Sequence, residues 1–379
     1  MKCIDEVPPS ALSGKRVIVR AGLDLSLDST GAVSDTLRVE RSVPTLDYLR
    51  KAGAKTIILS HIGREPSQTN APVAEALSRL IRVTYVPDIL GAVARSAIAA
   101  MQPGDIVLLE NIRQFYDLEK AGDQQFADSL ASLGEIYVND AFSNSHREHT
   151  SMTALPKRLP HYAGILVRDE VRELSRAMTP PKPSFALVGG AKFETKDPII
   201  RVLLEKYDHV GVVGALANDI LKARGFPVGR SLVSEHAPGA DVLANPRLLS
   251  SIDATVVRPD GQVRVVAPQD VQADDKIVDI GPETVAQFAE HLHEAQFVLW
   301  NGPTGLYEDG YLTYTHQIGE LVSRRAESGA SVVIGGGDTI VALQASGSDM
   351  EKLGFLSTGG GAMLEYLMHG TLPALAALE

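Results

Sequence analysis

The feature of this sequence that most constrains its fold is an alternation of short apolar runs with longer amphipathic stretches. The first series of runs is RVIVRA (16–21), KTIILS (55–60), VTYVPD (83–88), DIVLLE (105–110) and EIYV (135–138). Apolar strands separated by helix-length segments are typical of parallel sheets whose faces are covered by crossover helices. Two of the intervening segments, VERSVPTLDYLRKAG and DQQFADSLASLG, have apolar residues at three- and four-residue spacing and end in glycine, as helices do.

A second series of the same kind follows: SFALV (184–188), HVGVV (209–213), KIVDI (276–280), QFVLW (296–300) and SVVI (331–334). Since 379 residues exceed the usual size of one core, two domains are expected. The charged segment VRDEVRELSRAMTPPKP lies between the two series and is predicted to form a helix that connects the domains. The predicted fold class is α/β, with two doubly wound parallel-sheet (Rossmann-like) lobes joined by a hinge helix.

Composition and charge argue against several classes of function. With a formal net charge of −11 and a pI near 5.4, the chain is not expected to bind nucleic acid, although a local basic patch could still hold a small anion. The single cysteine, Cys3, provides no disulfide framework and fits a reducing compartment. The N-terminus MKCIDEVPPSALSGKR lacks the apolar core of a signal peptide, and no run approaches the roughly 18 apolar residues of a membrane span. We therefore expect a cytoplasmic protein without membrane contact.

Cationic side chains follow the strands of the first series, where ligands of such folds bind. They occur in SHIGR, LENIR and NDAFSNSHREH and ahead of one helix, and they are Arg38, His61, Arg64, Arg113, His146, Arg147 and His149. Single surface arginines are usually solvated. A group of them at equivalent loop positions predicts a pocket for a small polyanion, because guanidinium forks match phosphate and carboxylate oxygens. The histidines of HREH could instead bind a metal, although a third ligand and the HExxH spacing are missing.

The turns after the second series are rich in glycine: GGAK (189–192), VGALAND (213–219), WNGPTG (300–305), IGGGDT (334–339) and STGGGAMLE (357–365). Glycine lets backbone N–H groups approach phosphate oxygens, and a helix N-terminus adds partial positive charge. Each turn alone could be an ordinary tight turn, but several at consecutive strand ends predict a nucleotide site. The sequence has no Walker GxxxxGK[ST] pattern, no GxGxxG after its first strand and no GxSxG elbow.

These motifs, in this order, resemble the phosphoglycerate kinase family, as do TLRVERSVPTLDYL, GAKTIILSHIGR, LLENIR, YVNDAFSNSHREHTS, DIGPET and VLWNGPTGLYE. The resemblance implies an N-terminal lobe (1–166) for 3-phosphoglycerate or 1,3-bisphosphoglycerate, a connecting helix (167–180) and a C-terminal lobe (181–362) for Mg-ADP or Mg-ATP. It also implies that residues 363–379 pack back on the N-terminal lobe. The implied activity is the reversible, glycolytic phosphoryl transfer between these substrates. We expect a monomer that acts on small molecules.

The resemblance also assigns roles to individual residues. Those expected to hold the substrate's phosphate and carboxylate are Asp24, Arg38, His61, Arg64, Arg113 and Arg147. Those expected at the nucleotide are Gly190, Lys192, Lys196, Asn301, Glu308, Gly336, Gly337, Asp338 and Thr339, with Asp338 on Mg²⁺. Glycines 359 to 361 would present a helix N-terminus to the phosphoryl group. Catalysis is expected from Arg38, Lys192, Gly337 and Gly360, because a carboxylate nucleophile needs alignment and charge neutralisation rather than a base.

One stretch departs from the family pattern, which usually reads RVDFNVP after the first strand. Here the stretch is RAGLDLSLD (20–28), so simple alignment puts Gly22 at the family's Asp and Asp24 at its Asn. A slip of two residues would instead place Asp24 and Ser26 there and keep the same face inward. Thr195 also stands where the family often has Asp, with Asp197 nearby. Three hypotheses follow: an ordinary phosphoglycerate kinase, a related kinase forming an acyl phosphate on another phosphorylated carboxylate, or a non-catalytic nucleotide-binding paralogue.

Overall fold

The protein is described by a computed structural model covering residues 1–28, 30, 31, 33 and 36–379. The chain forms two compact units. The N-terminal unit consists of Met1–Arg172 together with Thr371–Glu379, and the C-terminal unit is Glu173–Gly370. The chain therefore leaves the first unit once and returns to it at its end.

The N-terminal unit is built on a six-stranded sheet whose paired strands are all parallel. Its strands are β1 (Arg16–Ala21), β2 (Lys55–Leu59), β3 (Thr84–Val86), β4 (Ile106–Leu109), β5 (Ile136–Asp140) and β6 (His161–Ala163), in the order β3-β4-β2-β1-β5-β6. The middle strands are buried along almost their whole length. Burial on both faces explains why they read as continuous apolar runs.

Helices cover this sheet: α1 (Pro9–Leu12), α2 (Leu37–Lys51), α3 (Ala71–Ser78), α4 (Ala92–Ala100), α5 (Tyr116–Lys120) and α6 (Gln124–Ala131). Short 3-10 turns lie at Ile4–Glu6, Ile112–Phe115, Phe142–Asn144 and Pro156–Arg158, and a π-turn at Thr150–Ala154. Helix α2 starts before the segment predicted for it, so Arg38 lies in its first turn rather than ahead of it. Helix α7 (Ile165–Met178) follows β6, and the boundary between the units falls within it.

The C-terminal unit contains β7 (Ser184–Val188), β8 (His209–Val212), β9 (Leu248–Leu249), β10 (Ala254–Val257), β11 (Val263–Val266), β12 (Lys276–Ile280), β13 (Phe297–Asn301), β14 (Ser331–Gly335) and β15 (Phe355–Leu356). Six of these form a parallel sheet in the order β15-β14-β13-β7-β8-β9. The α/β class with two Rossmann-like parallel sheets is thus confirmed.

One strand prediction was wrong. KIVDI forms β12, which belongs to a separate three-stranded antiparallel sheet in the order β11-β10-β12 and not to the parallel series. Its first two residues are only partly buried, and β11 alternates between exposed and partly buried residues. A sheet with one open face needs apolar residues on one side only, and a short run of five residues does not distinguish it from a parallel strand.

The helices of the C-terminal unit are α8 (Phe193–Lys206), α9 (Ala215–Ala223), α10 (Ala240–Leu243), α11 (Pro282–Glu294), α12 (Thr313–Glu327), α13 (Gly337–Ala345) and α14 (Gly361–His369), with 3-10 turns at Pro268–Asp270, Tyr307–Asp309 and Met350–Lys352. The last helix, α15 (Pro373–Ala376), belongs to the N-terminal unit, where the Ala374 amide donates to the Ser145 carbonyl at 3.0 Å. Across the described residues, none of the helices combines the length and apolar character that a membrane crossing requires.

Candidate active site

In the N-terminal unit, four neighbouring strands in the order β4-β2-β1-β5 end at one edge of the sheet. The residues predicted to bind the substrate follow these strands: Asp24 after β1, His61 and Arg64 after β2, Arg113 after β4 and Arg147 after β5. Parallel strands deliver the loops after their carboxyl ends to one side of the sheet. The topology thereby collects these side chains, which with Arg38 we call the cationic cluster.

Asp24 links several members of the cationic cluster. Its Oδ1 accepts a hydrogen bond from the Gly63 amide at 2.9 Å, and its carbonyl oxygen accepts one from the Arg38 guanidinium. Burial alone would raise the pKa of the Asp24 carboxyl, but contacts with His61 and the Gly63 amide and the charge of Arg113 hold that pKa below its usual value. The cluster therefore contains a carboxylate that is ionised at neutral pH.

His61 is buried, with 3% of its side chain exposed, and lies between Asp24 and Arg20. Its Nδ1 is 3.0 Å from Arg20 Nη2, while its Nε2 is 3.3 Å from Asp24 Oδ2 without forming a well-aligned hydrogen bond. Burial, opposed in part by Asp24 and reinforced by the charge of Arg20, lowers the pKa of His61 to about 4. The imidazole is neutral at physiological pH, and Nε2 is left with capacity for a further partner.

The remaining arginines act on one another through their charges. The Arg113 guanidinium donates to the Gly63 carbonyl, and its pKa is lowered by burial and by the nearby charges of Arg147 and Arg64. Arg64 is exposed, and Arg147 is partly exposed. Cations that destabilise one another in this way are stabilised when a polyanion binds between them. An acceptor with a phosphate and a carboxylate would be such a polyanion.

The histidines of HREH show no arrangement for metal binding. His149 Nδ1 lies 3.9 Å from Glu119 Oε1, and burial together with the charges of Arg147 and Arg20 lowers the pKa of His149 to about 4. Within the part of the chain that the structure describes, no group of three His, Cys, Asp or Glu side chains is placed to hold a metal ion.

In the C-terminal unit, three helices begin beyond the ends of strands β7, β14 and β15, and with Lys192 and Lys196 their N-termini form what we call the phosphate site. Helix α8 has Lys192 at its N-cap, α13 has Gly336, and α14 has Gly360. In none of the three does the side chain of the N-cap residue bond to the first amides, although the Phe193 amide of α8 donates to Ser234 Oγ at 2.7 Å. Amides left unpaired at helix N-termini, together with the helix dipole, are the usual phosphate-binding groups of α/β proteins.

Glycine is required at these turns for identifiable reasons. Gly336 and Gly360 have φ values of +97° and +51°, which side chains other than that of glycine rarely adopt. A Cβ added at Gly337, Gly360 or Gly361 would meet no described heavy atom within 4 Å. These three glycines therefore face open space, which leaves room for a ligand to approach the backbone amides.

Lys196, one helical turn after Lys192, is fixed by a polar network. Its Nζ donates to Asn301 Oδ1 at 2.8 Å, and the neighbouring Gly302 amide donates to Thr339 Oγ1 at 2.7 Å. Burial lowers the pKa of Lys196 to about 8, partly opposed by the charge of Asp338. Lys192 itself is exposed. The network thus holds Lys196 beside strand β13. Lys192 lies outside the network, so its side chain can adjust to a phosphate group at the site.

A cleft next to the phosphate site has apolar walls that include Ala215, Ala217, Leu232, Ile277 and Leu306. A slot of this kind suits a purine base. Glu308, Tyr307 and Asp338 also line it, and the Tyr307 hydroxyl donates to Asp338 Oδ1 at 3.1 Å. Asp338 lies in the first turn of α13 and is exposed. One carboxylate beside a phosphate site fits Mg²⁺, which usually binds to one or two carboxylates, substrate phosphates and water.

Comparison with known proteins agrees with this arrangement. The family model described as phosphoglycerate kinase matches residues 5–370. The chain belongs to the phosphoglycerate kinase family. It is 39% identical over 388 residues to the phosphoglycerate kinase of Synechococcus elongatus, covering 97% of this chain and 96% of that protein. It is also 39% identical over 403 residues to the phosphoglycerate kinase of Salinispora tropica, covering 100% and 99%.

Solved structures of phosphoglycerate kinases have the same fold. The enzyme from Coxiella burnetii matches with a TM-score of 0.81 and 32% identity, covering 99% of this chain and 98% of the other. The enzyme from Pyrococcus horikoshii matches with a TM-score of 0.87 and 27% identity, covering 100% and 98%. Both structural matches extend over the N-terminal and the C-terminal unit of this chain.

Sequence reasoning missed three residues at these sites. Arg20 lies inside β1, within an apolar run, and a charged residue in such a run is itself a signal of a buried partner. Ser143 lies in NDAFSNSHREH and Tyr307 in GLYE, where the neighbouring charged residues give the stronger signal. Charge alone does not reveal a hydroxyl such as that of Tyr307, which donates to Asp338.

Proposed function

We propose that this chain carries out the reversible transfer of a phosphoryl group between 1,3-bisphosphoglycerate with ADP and 3-phosphoglycerate with ATP. The observation that supports it most strongly is the phosphate site, where three helices begin without a capping side chain on their N-cap residues and Lys192 and Lys196 stand one turn apart. The family uses ATP or ADP as co-substrate and acts on small molecules, and the cationic cluster supplies a complementary site for a small acceptor that carries two anionic groups.

In the N-terminal unit, the proposed acceptor-binding residues are those of the cationic cluster. Arg38, Arg64, Arg113 and Arg147 together carry the charge for the phosphate and the carboxylate of the acceptor. His61, neutral and with a proton on Nε2, donates a hydrogen bond without adding charge. Together these groups bind 3-phosphoglycerate by forming charge-assisted hydrogen bonds to its phosphate and carboxylate oxygens.

In the C-terminal unit, the cleft takes the purine, Glu308 contacts the ribose hydroxyls, and Lys196 with Asn301 and Thr339 contacts the phosphate chain. The amides at Gly190, Gly336, Gly337 and Gly360 bind phosphate oxygens. Asp338 would hold Mg²⁺, which would neutralise phosphate charge when bound. Tyr307 orients the Asp338 carboxylate through the 3.1 Å hydrogen bond.

The reaction needs no general base, because the acceptor carboxylate is already ionised near neutral pH. One of its oxygens attacks the γ-phosphorus, the bond from that phosphorus to the bridging oxygen breaks, and ADP leaves with the electron pair. Charge spreads over the equatorial oxygens in the transition state. Lys192, Arg38 and the amides of Gly337 and Gly360 stabilise that charge, and losing one such contact costs about 2–4 kcal/mol of barrier.

We also propose a cytoplasmic monomer in which helix α7, where the unit boundary falls, acts as a hinge. Light scattering on the purified protein tests whether it is a monomer, since a mass near 40.5 kDa is then expected. Replacing residues in the middle of α7 with glycine should change kcat more than the affinity for either substrate alone, because a hinge affects only the step that needs both.

A coupled assay tests the activity. The protein, ATP, Mg²⁺ and 3-phosphoglycerate are combined with an enzyme that reduces the acyl phosphate at the expense of NADH. We expect NADH oxidation that saturates in both substrates and depends on the chain. Nucleotide binding by calorimetry without any turnover on 3-phosphoglycerate would favour another phosphorylated carboxylate as acceptor or a paralogue that only binds nucleotide. A panel of phosphorylated carboxylates then separates these two alternatives.

A further inference from the structure

The departure from the family pattern at Gly22 coincides with an unusual packing arrangement. Burial alternates after β1, with Ala21, Leu23 and Leu25 buried and Gly22 and Asp24 partly exposed. Residues 22 and 24 therefore face the same side of the extended chain, which is the side where Asp24 meets His61 and Gly63. Any side chain at position 22 would thus point towards the cationic cluster.

The space that such a side chain would take is already filled. A Cβ built on Gly22 would lie 2.9 Å from Ser143 Oγ and 3.3 Å from the Ala141 Cα atom. Real Cβ atoms essentially never approach another heavy atom to 2.9 Å, so with a side chain at position 22 the Ser143 hydroxyl would have to leave the place that it occupies here. The polar atom at this position of the cluster comes from the loop after β5 instead of from the loop after β1.

Ser143 is well placed to meet a ligand. It lies in the 3-10 turn Phe142–Asn144, four residues before Arg147, and is partly exposed. Its hydroxyl makes one long contact, 3.5 Å, to Asn144 Oδ1, which is at the limit of a hydrogen bond. A hydroxyl can rotate, donate and accept, so this one can serve a carboxylate or a hydroxyl of a bound molecule.

We propose that Ser143 is a substrate-binding residue that replaces the polar side chain missing at Gly22, and that Ser143 and Asp24 together recognise the hydroxyl-bearing carbon of the acceptor. The inference rests on the proposed function. Asp24 as an ionised carboxylate only accepts hydrogen bonds, so it favours a hydroxyl donor and disfavours an anionic group at that point. Ser143 donates to the adjacent carboxylate oxygen. An acceptor without this hydroxyl cannot donate a hydrogen bond to the Asp24 carboxylate, which then faces a carbon atom instead.

The test compares Ser143→Ala and Asp24→Asn with the wild type on 3-phosphoglycerate and on 3-phosphooxypropanoate, which lacks the hydroxyl. We expect Ser143→Ala to raise the KM for 3-phosphoglycerate about three- to tenfold, the effect of one hydrogen bond, with kcat and the KM for ATP unchanged. Asp24→Asn should reduce the preference of the wild type for the hydroxylated acceptor. Ser132→Ala, an exposed serine at the end of α6, serves as the matched control and should change neither constant.

A double-mutant cycle tests the exchange of side chains directly. Gly22→Asp alone should weaken acceptor binding, because the new Cβ meets Ser143 Oγ, and adding Ser143→Gly should restore affinity to within about threefold of the wild type. Additive losses in the cycle, or an unchanged KM in Ser143→Ala, would overturn the inference while leaving the activity intact. If the wild type shows no turnover, calorimetric titration of the same variants with 3-phosphoglycerate decides the inference separately, since equal Kd values for wild type and Ser143→Ala contradict it.

Discussion

The Nη2 of Arg20 lies 3.0 Å from the Nδ1 of His61, inside the N-terminal unit. Because a guanidinium can only donate, Nδ1 must accept, and the proton of the neutral imidazole is assigned to Nε2, on the side of Asp24. Arg20 is itself buried, with its Nε donating to Ser151 Oγ at 2.9 Å and Nη1 to the Ala21 carbonyl at 2.6 Å. A buried arginine with a partner at each of its three guanidinium nitrogens thus determines which nitrogen of His61 carries the proton.

The lowered pKa of His61 predicts a loss of stability in acid. Its pKa is about 4 in the folded protein and about 6.5 in an unfolded chain, so the unfolded state binds more protons between these values. Stability from the neutral imidazole is complete above pH 6.5 and is lost as the pH falls towards 4, amounting to about 3 kcal/mol. The variant His61→Gln lacks this titration.

The difference in Tm between His61→Gln and the wild type, recorded from pH 7.5 to 4.5, measures this contribution. At high pH the variant should be the less stable protein, because Gln replaces an imidazole held by Arg20. Its disadvantage should shrink steadily below pH 6.5. A difference in Tm that stays constant across the range would show that His61 does not titrate as its burial requires.

Lys192→Ala should abolish turnover with little effect on nucleotide binding. Lys192 is exposed at the N-cap of α8, so its loss leaves the fold intact, and its charge is needed mainly when charge builds on the transferring phosphoryl. We expect kcat to fall at least about 100-fold while the Kd for ADP stays within about tenfold. Lys206→Ala, at the other end of the same helix, is the control and should retain wild-type kcat. Substantial turnover in Lys192→Ala would remove this lysine from the mechanism.

Gly337→Ala probes the amides of the phosphate site. The added Cβ meets no described atom within 4 Å, so the substitution should leave Tm nearly unchanged. The methyl group does, however, occupy the space through which phosphate oxygens approach the backbone. We expect kcat/KM for ATP to fall at least about tenfold, as one impaired oxyanion contact implies. Unchanged kinetics would place the phosphoryl group elsewhere, and a large drop in Tm would mean that the position is closed by packing.

Tyr307→Phe removes the hydroxyl that donates to Asp338 at 3.1 Å. Without it the carboxylate loses its fixed orientation, and we expect the Kd for Mg-ADP to rise about three- to tenfold while that for metal-free ADP is unchanged. Calorimetric titration with each form measures both values. Tyr311→Phe, on the same loop but outside the cleft lining, should leave both as in the wild type. Equal weakening of both forms would mean that Tyr307 contacts the nucleotide itself.

The sequence predicts features that depend on local burial, and it does not predict those that depend on which strands pair. Buried parallel strands such as SFALV are visible because burial on both faces forces a continuous apolar run. KIVDI was misassigned because five residues do not record which partner a strand pairs with. Strand ends bearing cations identified the cluster, since loops after parallel strands meet at one edge by topology alone.

The contacts within the sites were beyond sequence reasoning. That Gly22 makes room for Ser143 depends on a distance between residues far apart in the chain, and neither position signals the other. The tautomer of His61 depends on the direction from which Arg20 approaches it. Spacing in the sequence predicts which residues share an edge of a sheet. It does not predict which atoms face each other there.

Trapping the product with hydroxylamine tests most directly whether the acceptor of the phosphoryl group is a carboxylate. An acyl phosphate reacts with hydroxylamine to give a hydroxamate, whereas a phosphate ester does not. With ATP, Mg²⁺ and 3-phosphoglycerate, the wild-type protein should accumulate the hydroxamate of 3-phosphoglycerate together with an equal amount of ADP, and Lys192→Ala should form neither. Folded protein that binds ATP but yields no hydroxamate, or releases ADP without it, would contradict the account.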